Sequence, residues 1–285
     1  MYEYFFQFAD IHIRIAAPFR IHVSSESIPF MSQGIEEPHL ILSFLPVDSL
    51  PTISLDGNWI EDRYYRYVSG LHEIFVRSFP GGDPYARLVC GDGSIQCEYL
   101  SNFESKFTET CDILNLIGLE KILLDHSGFL LHSSLIRYQN KAILFSAPCG
   151  VGKSTQADLW NRFRSAEILN GDRAGVRFSN HFWCAYGMPF AGTSGIYQNA
   201  SAPIAAVVTL DQGPENLIQR LRPMEAIRRL LLECSCRRWD SEFMNRMLYL
   251  LLKFVGSVPV YHLVCRPDEG AVNLLSDTLL KDGFL

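Results

Sequence analysis

The segment from Lys141 to Phe163 constrains the fold more than any other. Lys141 to Ser146 (KAILFS) is the apolar, β-branched run of a buried strand, and Thr155 to Phe163 reads as a helix. Between them lie Ala147, Pro148, Cys149, Gly150, Val151, Gly152, Lys153 and Ser154. This turn has the pattern of a phosphate loop: backbone N–H groups bend around phosphate oxygens, Lys153 adds a point charge, and a hydroxyl serves a divalent ion. The candidate nucleotide-binding set is therefore Ala147, Cys149, Gly150, Val151, Gly152, Lys153, Ser154 and Thr155. Ala147 stands where the usual pattern has its first glycine. At negative φ its methyl group fits; at positive φ the loop must be reshaped at a cost of about 1 kcal/mol or more.

The two halves of the chain have different grammars. Up to about residue 100, short aromatic and β-branched runs predict strands at Tyr2–Ala9, Ile11–Ile15, Phe19–Val23, His39–Phe44, Trp59–Val68, Leu71–Phe79 and Tyr85–Cys90. Turn residues separate them, at Pro18, Pro38, Pro51, Asp56-Gly57 and Gly81-Gly82-Asp83, and Asp92-Gly93 reads as a hairpin turn. From Phe107 onward, helical spacing covers Glu109–Leu124. An apolar segment follows at Gly128–Arg137, then a turn at Gln139-Asn140 and the strand into the loop. After the loop helix come a short strand at Glu167–Leu169, a hairpin turning at Ser179-Asn180, and a strand at Ile204–Leu210. Helices at Met224–Cys234 and Ser241–Phe254 lead to a last strand at Pro259–Cys265 and a closing helix at Glu269–Lys281. Strands interleaved with helices predict an α/β domain over 101–285, preceded by a smaller β-rich domain over 1–100.

Composition narrows the function. With 25 basic and 31 acidic residues in 285, net −6, the chain lacks the charge of a broad nucleic-acid binder. It shows no bilayer-length apolar run and no signal-peptide pattern, so a cytoplasmic protein with no membrane partner is the expectation. The eight cysteines have no metal-knuckle spacing and read as buried free thiols. Cys149 is set apart, because the loop amides and Lys153 favour its thiolate.

Beyond the loop, four positions carry candidate chemistry. Asp172, in the turn Asn170-Gly171-Asp172-Arg173, sits where carboxylates reach a metal or a water; good turn chemistry is the competing reading. Ser154 and Asp172 form the candidate metal set. Arg266, after the last strand, would add positive charge for the transferring group, and Arg173 would meet a phosphate or pair with Asp172. His132, flanked by Leu130, Leu131, Ser133 and Ser134, is either a satisfied core histidine or faces the site from the strand before the loop strand. The glycine-rich stretch Gly187–Gly195 either wraps a substrate or connects layers tightly. His12, Arg14 and His22, at alternating positions, read as one face of a sheet.

At these residues the chain resembles the HPr serine kinase/phosphorylase catalytic domain and its shorter relatives, which share a P-loop core with ATP-dependent phosphoenolpyruvate carboxykinase. The resemblance spans about 120–281 and rests on Leu131-His132-Ser133-Ser134, Ile143–Thr155, the acidic turn at 170–173, the Gly187–Gly195 loop, and Pro259 through Arg266-Pro267. It implies a mixed-sheet core with the phosphate loop at its centre, and a kinase that uses ATP and Mg²⁺ to phosphorylate a serine hydroxyl. Relatives of this size resemble kinases of peptide-modification clusters, whose acceptor is a peptide or protein serine or a small molecule. The resemblance matches His132, Gly150, Gly152, Lys153, Ser154, Asp172 and Arg266 to family positions, and it implies a homo-oligomer by analogy. Two departures stand out. Gly171 replaces the first acid of the family's Asp-Asp pair, which resembles the general base, and Ala185–Pro189 replaces a Glu-x-Arg-Gly-like motif. Proton abstraction is typically worth 10²–10⁴-fold, so the loss bears on turnover more than on nucleotide binding. The expected function is thus an ATP- and Mg²⁺-dependent phosphotransferase acting on a hydroxyl. The alternative is a non-catalytic nucleotide-binding partner in a peptide-modification system, with residues 1–100 as a docking or substrate module.

Overall fold

Alternating apolar residues build the first sheet. In β2 (Ile11–Ala17), Ile11, Ile13, Ile15 and Ala17 are all buried while the residues between them are half-exposed. β1 (Tyr2–Phe8) joins it through Ala9 and Asp10, both at positive φ (49° and 60°), as a right-twisted two-residue hairpin requires. The computed structural model describes residues 1–52, 57–60, 64–79 and 82–285, a mixed α/β chain of two compact units, 1–118 and 119–285.

The first unit adds β3 (Leu40–Val47), β4 (Asn58–Ile60), β5 (Tyr64–Ser69), β6 (His72–Ser78), β7 (Pro84–Gly91) and β8 (Ser94–Leu100). Among the described residues its sheet has eight strands in the order β1-β2-β3-β8-β7-β6-β5-β4, with β2–β3 and β3–β8 parallel. Asp92-Gly93 turns β7 into β8. Phe19–Val23 does not form the expected strand. The Ile21 N–H donates to the Tyr4 hydroxyl (2.8 Å), and only a single bridge joins His22 to Glu109. Asp56, residues 61–63 inside the Trp59–Val68 run, and Gly81 lie outside the described residues.

The helix read at Glu109–Leu124 is two helices. α1 (Thr110–Ile117) ends at Gly118, whose φ of 67° stops it, and α2 (Leu119–Asp125) begins the second unit. The N-terminus of α1 is tied to the first unit, the Thr110 N–H donating to His22 C=O (3.2 Å). Residues 101–117 therefore pack with the first sheet.

The second unit contains β9 (Gly128–Tyr138), β10 (Lys141–Ser146), α3 (Lys153–Arg164), β11 (Glu167–Asn170), β12 (Arg173–Ser179), β13 (Phe182–Gly187), β14 (Ser201–Gln212) and β15 (Leu217–Arg220). It continues with α4 (Pro223–Glu233), α5 (Ser241–Ser257), β16 (Val260–Cys265) and α6 (Glu269–Lys281). β10 lies between β9, antiparallel, and β14, parallel, and β14 also pairs parallel with β16. Buried strands covered on both faces read as continuous apolar runs, as β10 and β14 do. Leu144, Val207 and Val260 pack towards α4 and α5, whereas Ile143, Phe145, Val208 and Leu263 pack towards α3 and α6.

β9 and β14 each serve two partner sets. Gly128–His132 of β9 pairs with β12, and Ser133–Tyr138 pairs with β10. Likewise Ser201–Pro203 of β14 pairs with β13 before the strand moves on to β10 and β16. The β12–β13 hairpin turns at Asn180-His181 (φ 51° and 72°), one residue later than the sequence reading, because Ser179 already pairs with Phe182. Among the described residues no helix is long and apolar enough to cross a membrane.

Candidate functional site

The loop after β10 is shaped by its own chemistry. Ala147 stays out of the left-handed region, and its methyl is buried in the core beneath α3, so alanine is compatible with this position. Gly150 and Gly152 lie at φ 82° and 122°, with no atom within 4 Å of a Cβ built on either. Backbone conformation, not crowding, requires glycine at both. Lys153 opens α3 and is only 7% exposed. Its ammonium donates to the carbonyls of Ala147 (2.8 Å) and Pro148 (3.4 Å). Burial lowers the Lys153 pKa, with the charges of Glu233, Cys149 and Asp172 pulling the other way.

A cleft of about 410 Å³ opens beside the loop, lined by Gly150, Gly152, Thr155, Gln212, Cys265 and Arg266 among others. The Gln212 side chain braces the loop, its Nε2 donating to the carbonyls of Gly150 (3.4 Å) and Val151 (3.3 Å). Arg266 lines this cleft, but its guanidinium also pairs with Asp268 (2.9 Å), the residue that caps α6. Ser154 is half-buried and Thr155 exposed on the first turn of α3, and Cys149 is exposed.

Asp172 is positioned by a residue that the sequence reading did not single out. Asn170 is fully buried at the end of β11, and its Oδ1 accepts from the N–H groups of Asp172 (3.0 Å) and Arg173 (2.8 Å). Its Nδ2 donates to the carbonyls of Met188 (2.8 Å) and Phe190 (3.2 Å), tying the glycine-rich loop to the acidic turn. Asn170→Asp keeps the acceptor but sets a carboxylate oxygen against two carbonyls. It is expected to cost about 2 kcal/mol in chemical denaturation; an unchanged midpoint and slope would remove Asn170 as the keystone.

Glycine is required at two neighbouring positions for steric reasons. A Cβ on Gly192 would come within 2.8 Å of the Asp172 Cβ, and one on Gly171 would lie 1.7 Å from the Ser194 Oγ. The Gly187–Gly195 stretch is thus packed against the acidic turn. The Ser194 hydroxyl donates to Ala191 C=O (2.8 Å), and the Gly171 N–H donates to Ile196 C=O (3.1 Å).

His132 does not point into an apolar core. Its Nε2 lies 3.4 Å from Asp172 Oδ1, and its Nδ1 lies 3.1 Å from Oε2 of Glu233, the last residue of α4. Glu233 was not visible as a site residue, since it is 101 positions from His132 and closes an ordinary amphipathic helix. The neighbouring imidazole of His132 is the main group holding the Asp172 carboxyl below its usual range, with burial opposing and Arg173, whose Nε is 3.6 Å away, aiding. One turn earlier on α4, Arg229 reaches Asp211 (3.4 Å) and the Nε2 of His262 (3.4 Å). Among the described residues no group of three or more His, Cys, Asp or Glu is arranged to hold a metal ion.

No protein-family model matches the chain, and no curated protein matches it. Among solved structures, it is similar to the Hpr(Ser) kinase/phosphatase from Coxiella burnetii over 54% of this chain and 88% of that one, at 12% identity and a TM-score of 0.31. That likeness is weak and partial.

The sequence-predicted residues fall into two groups. Gly150, Val151, Gly152, Thr155 and Arg266 line the cleft, while His132 meets Asp172 and Glu233, whose charges both act on Lys153. A buried ammonium at a helix start, a glycine-shaped loop, and an imidazole between two carboxylates together offer anion binding next to proton transfer.

Proposed function

We propose that the second unit binds ATP and Mg²⁺ and transfers the γ-phosphate to a hydroxyl, of a peptide or protein serine or of a small molecule. The observation that carries this reading is the burial of Lys153 at the start of α3, with its charge coupled to Glu233 and Asp172. A buried cation beside a loop with two positive-φ glycines suits phosphate oxygens. The cleft lined by Thr155, Gln212 and Arg266 is large enough to take part of the nucleoside. Ser154 and Asp172 supply hard oxygen donors of the kind Mg²⁺ takes, one hydroxyl and one carboxylate, with phosphate and water completing the set. The metal would neutralise charge on the transferring group. His132 would take the acceptor proton, with Asp172 3.4 Å from its Nε2.

The second reading, a nucleotide-binding partner without turnover, is favoured by Gly171, where Ser194 fills the space an acidic side chain would need. The test uses γ-labelled ATP, Mg²⁺ and an extract of the source cell. Label should pass to an acceptor, disappear with Lys153→Ala and fall by on the order of 10²-fold with Asp172→Ala. Nucleotide binding without labelling of any acceptor would favour the second reading.

A further inference from the structure

The imidazole of His132 faces a carboxylate at each ring nitrogen, and a neutral ring has only one N–H to give. Three observations decide where that proton sits. The contact to Glu233 is the shorter, 3.1 Å against 3.4 Å. The Glu233 side chain is 14% exposed against 28% for Asp172, so its oxygens have less water to turn to. Asp172 also has Arg173 for a partner.

We infer that Glu233 is a positioning residue that holds His132 as the Nδ1–H tautomer, leaving Nε2 without a proton and able to accept one. This deepens the phosphotransfer reading and rests on it for its functional meaning. Where the acceptor hydroxyl lies between Nε2 and the transferring phosphate, its proton passes to Nε2 as its oxygen forms the new P–O bond. The bond from the γ-phosphorus to the bridging oxygen breaks, and ADP leaves with that electron pair. The imidazolium then has a carboxylate at each nitrogen. In this way a glutamate from α4 does part of the work of the acid missing at position 171, acting through histidine rather than on the hydroxyl itself.

The full-length protein tests this in two independent ways. Nitrogen-15 NMR of the ring, at a pH where it is neutral and with neither nucleotide nor metal, should show His132 protonated at Nδ1. In Glu233→Ala the population should move towards Nε2–H. Glu233→Gln, whose amide oxygen still accepts the bond, should stay closer to the parent and guards against misfolding in the alanine variant. Basal hydrolysis of Mg·ATP, with water as the acceptor, should fall on the order of 10²-fold in Glu233→Ala, with partial rescue in Glu233→Gln. Affinity for a fluorescent ATP analogue should stay within about twofold of the parent. An Nε2–H ring in the parent, or no tautomer change on removing Glu233, overturns the inference, as does unchanged hydrolysis despite a changed tautomer. If the parent neither binds nor hydrolyses ATP, the phosphotransfer reading fails, while the NMR result still decides whether Glu233 sets the ring.

Discussion

Lys153→Met is expected to leave the apo protein as stable as the parent, or more so, and to erase the rise in Tm that Mg·ATP produces. The two halves of this result have separate causes. In the apo protein the ammonium is buried against the carbonyls of Ala147 and Pro148, and burial lowers its pKa. An apolar chain of similar length removes that desolvation cost while keeping the packing. A ligand at a hundredfold excess over its Kd stabilises by about 2.7 kcal/mol. For a chain of this size that is a rise of roughly 5–11 °C, which the variant should lose. The pH dependence has a definite sign. Because the folded pKa lies below the ordinary 10.5, the folded chain sheds this proton before the unfolded chain does. The parent therefore gains stability relative to Lys153→Met as pH rises from the folded value towards 10.5, and loses that gain as pH falls. Calorimetry with and without Mg·ATP checks both halves; an unchanged nucleotide shift in the variant would contradict the role given to Lys153.

Placing an acid at position 171 is expected to damage the protein rather than improve it. The Cβ of Gly171→Asp would lie 1.7 Å from the Ser194 Oγ and 2.6 Å from its Cβ. Rotating the hydroxyl relieves only the first of these contacts, so the loop backbone must move. The cost is about 3 kcal/mol, seen as a Tm lower by roughly 6–12 °C. Gly171→Asp combined with Ser194→Gly should recover at least half of that loss, because the clash is pairwise. Ser194→Gly alone should cost about 1 kcal/mol, through its bonds to Ala191 C=O and from the Ile196 N–H. Equal stability of Gly171→Asp and the parent would show that the loop yields freely. The double variant is also the proper one in which to look for a gain in transfer rate.

These two cases mark what the sequence could and could not convey. The strand, turn and helix from Lys141 to Arg164 were legible because their signals are local: an apolar run, two glycines and a periodic helix. The separation of α1 from α2 was not, since Gly118 inside an apolar period looks like a tolerated glycine until its φ of 67° is known. β15 was missed because four mostly exposed residues show no alternation strong enough to declare a strand. In the site, Gly171 reads as a missing carboxylate only against the pattern of the family the sequence resembles. Its meaning is steric and depends on Ser194, which lies beyond an intervening hairpin. Asn170 and Glu233 escaped notice for a related reason. A buried asparagine before Gly-Asp looks like turn chemistry, and a glutamate closing an amphipathic helix looks like solvated surface. Only long-range contacts distinguish them.

The division of labour within β9 has a mechanical consequence. His132 is the last residue to pair with β12, and Ser133 is the first to pair with β10, the strand that leads into the loop. The imidazole therefore sits on a seam. Any shear between the β12–β13 hairpin and the loop strand would be taken up here and at the matching break between Pro203 and Ile204 of β14, turning the ring relative to the loop strand. The seam is pinned by the Ser133 N–H donating to Asp172 C=O (2.9 Å) and the Ser146 hydroxyl donating to His132 C=O (3.0 Å). A site built this way is geared to its scaffold: pressure on the hairpin tip, far along the chain from the loop, would reach His132 through the backbone.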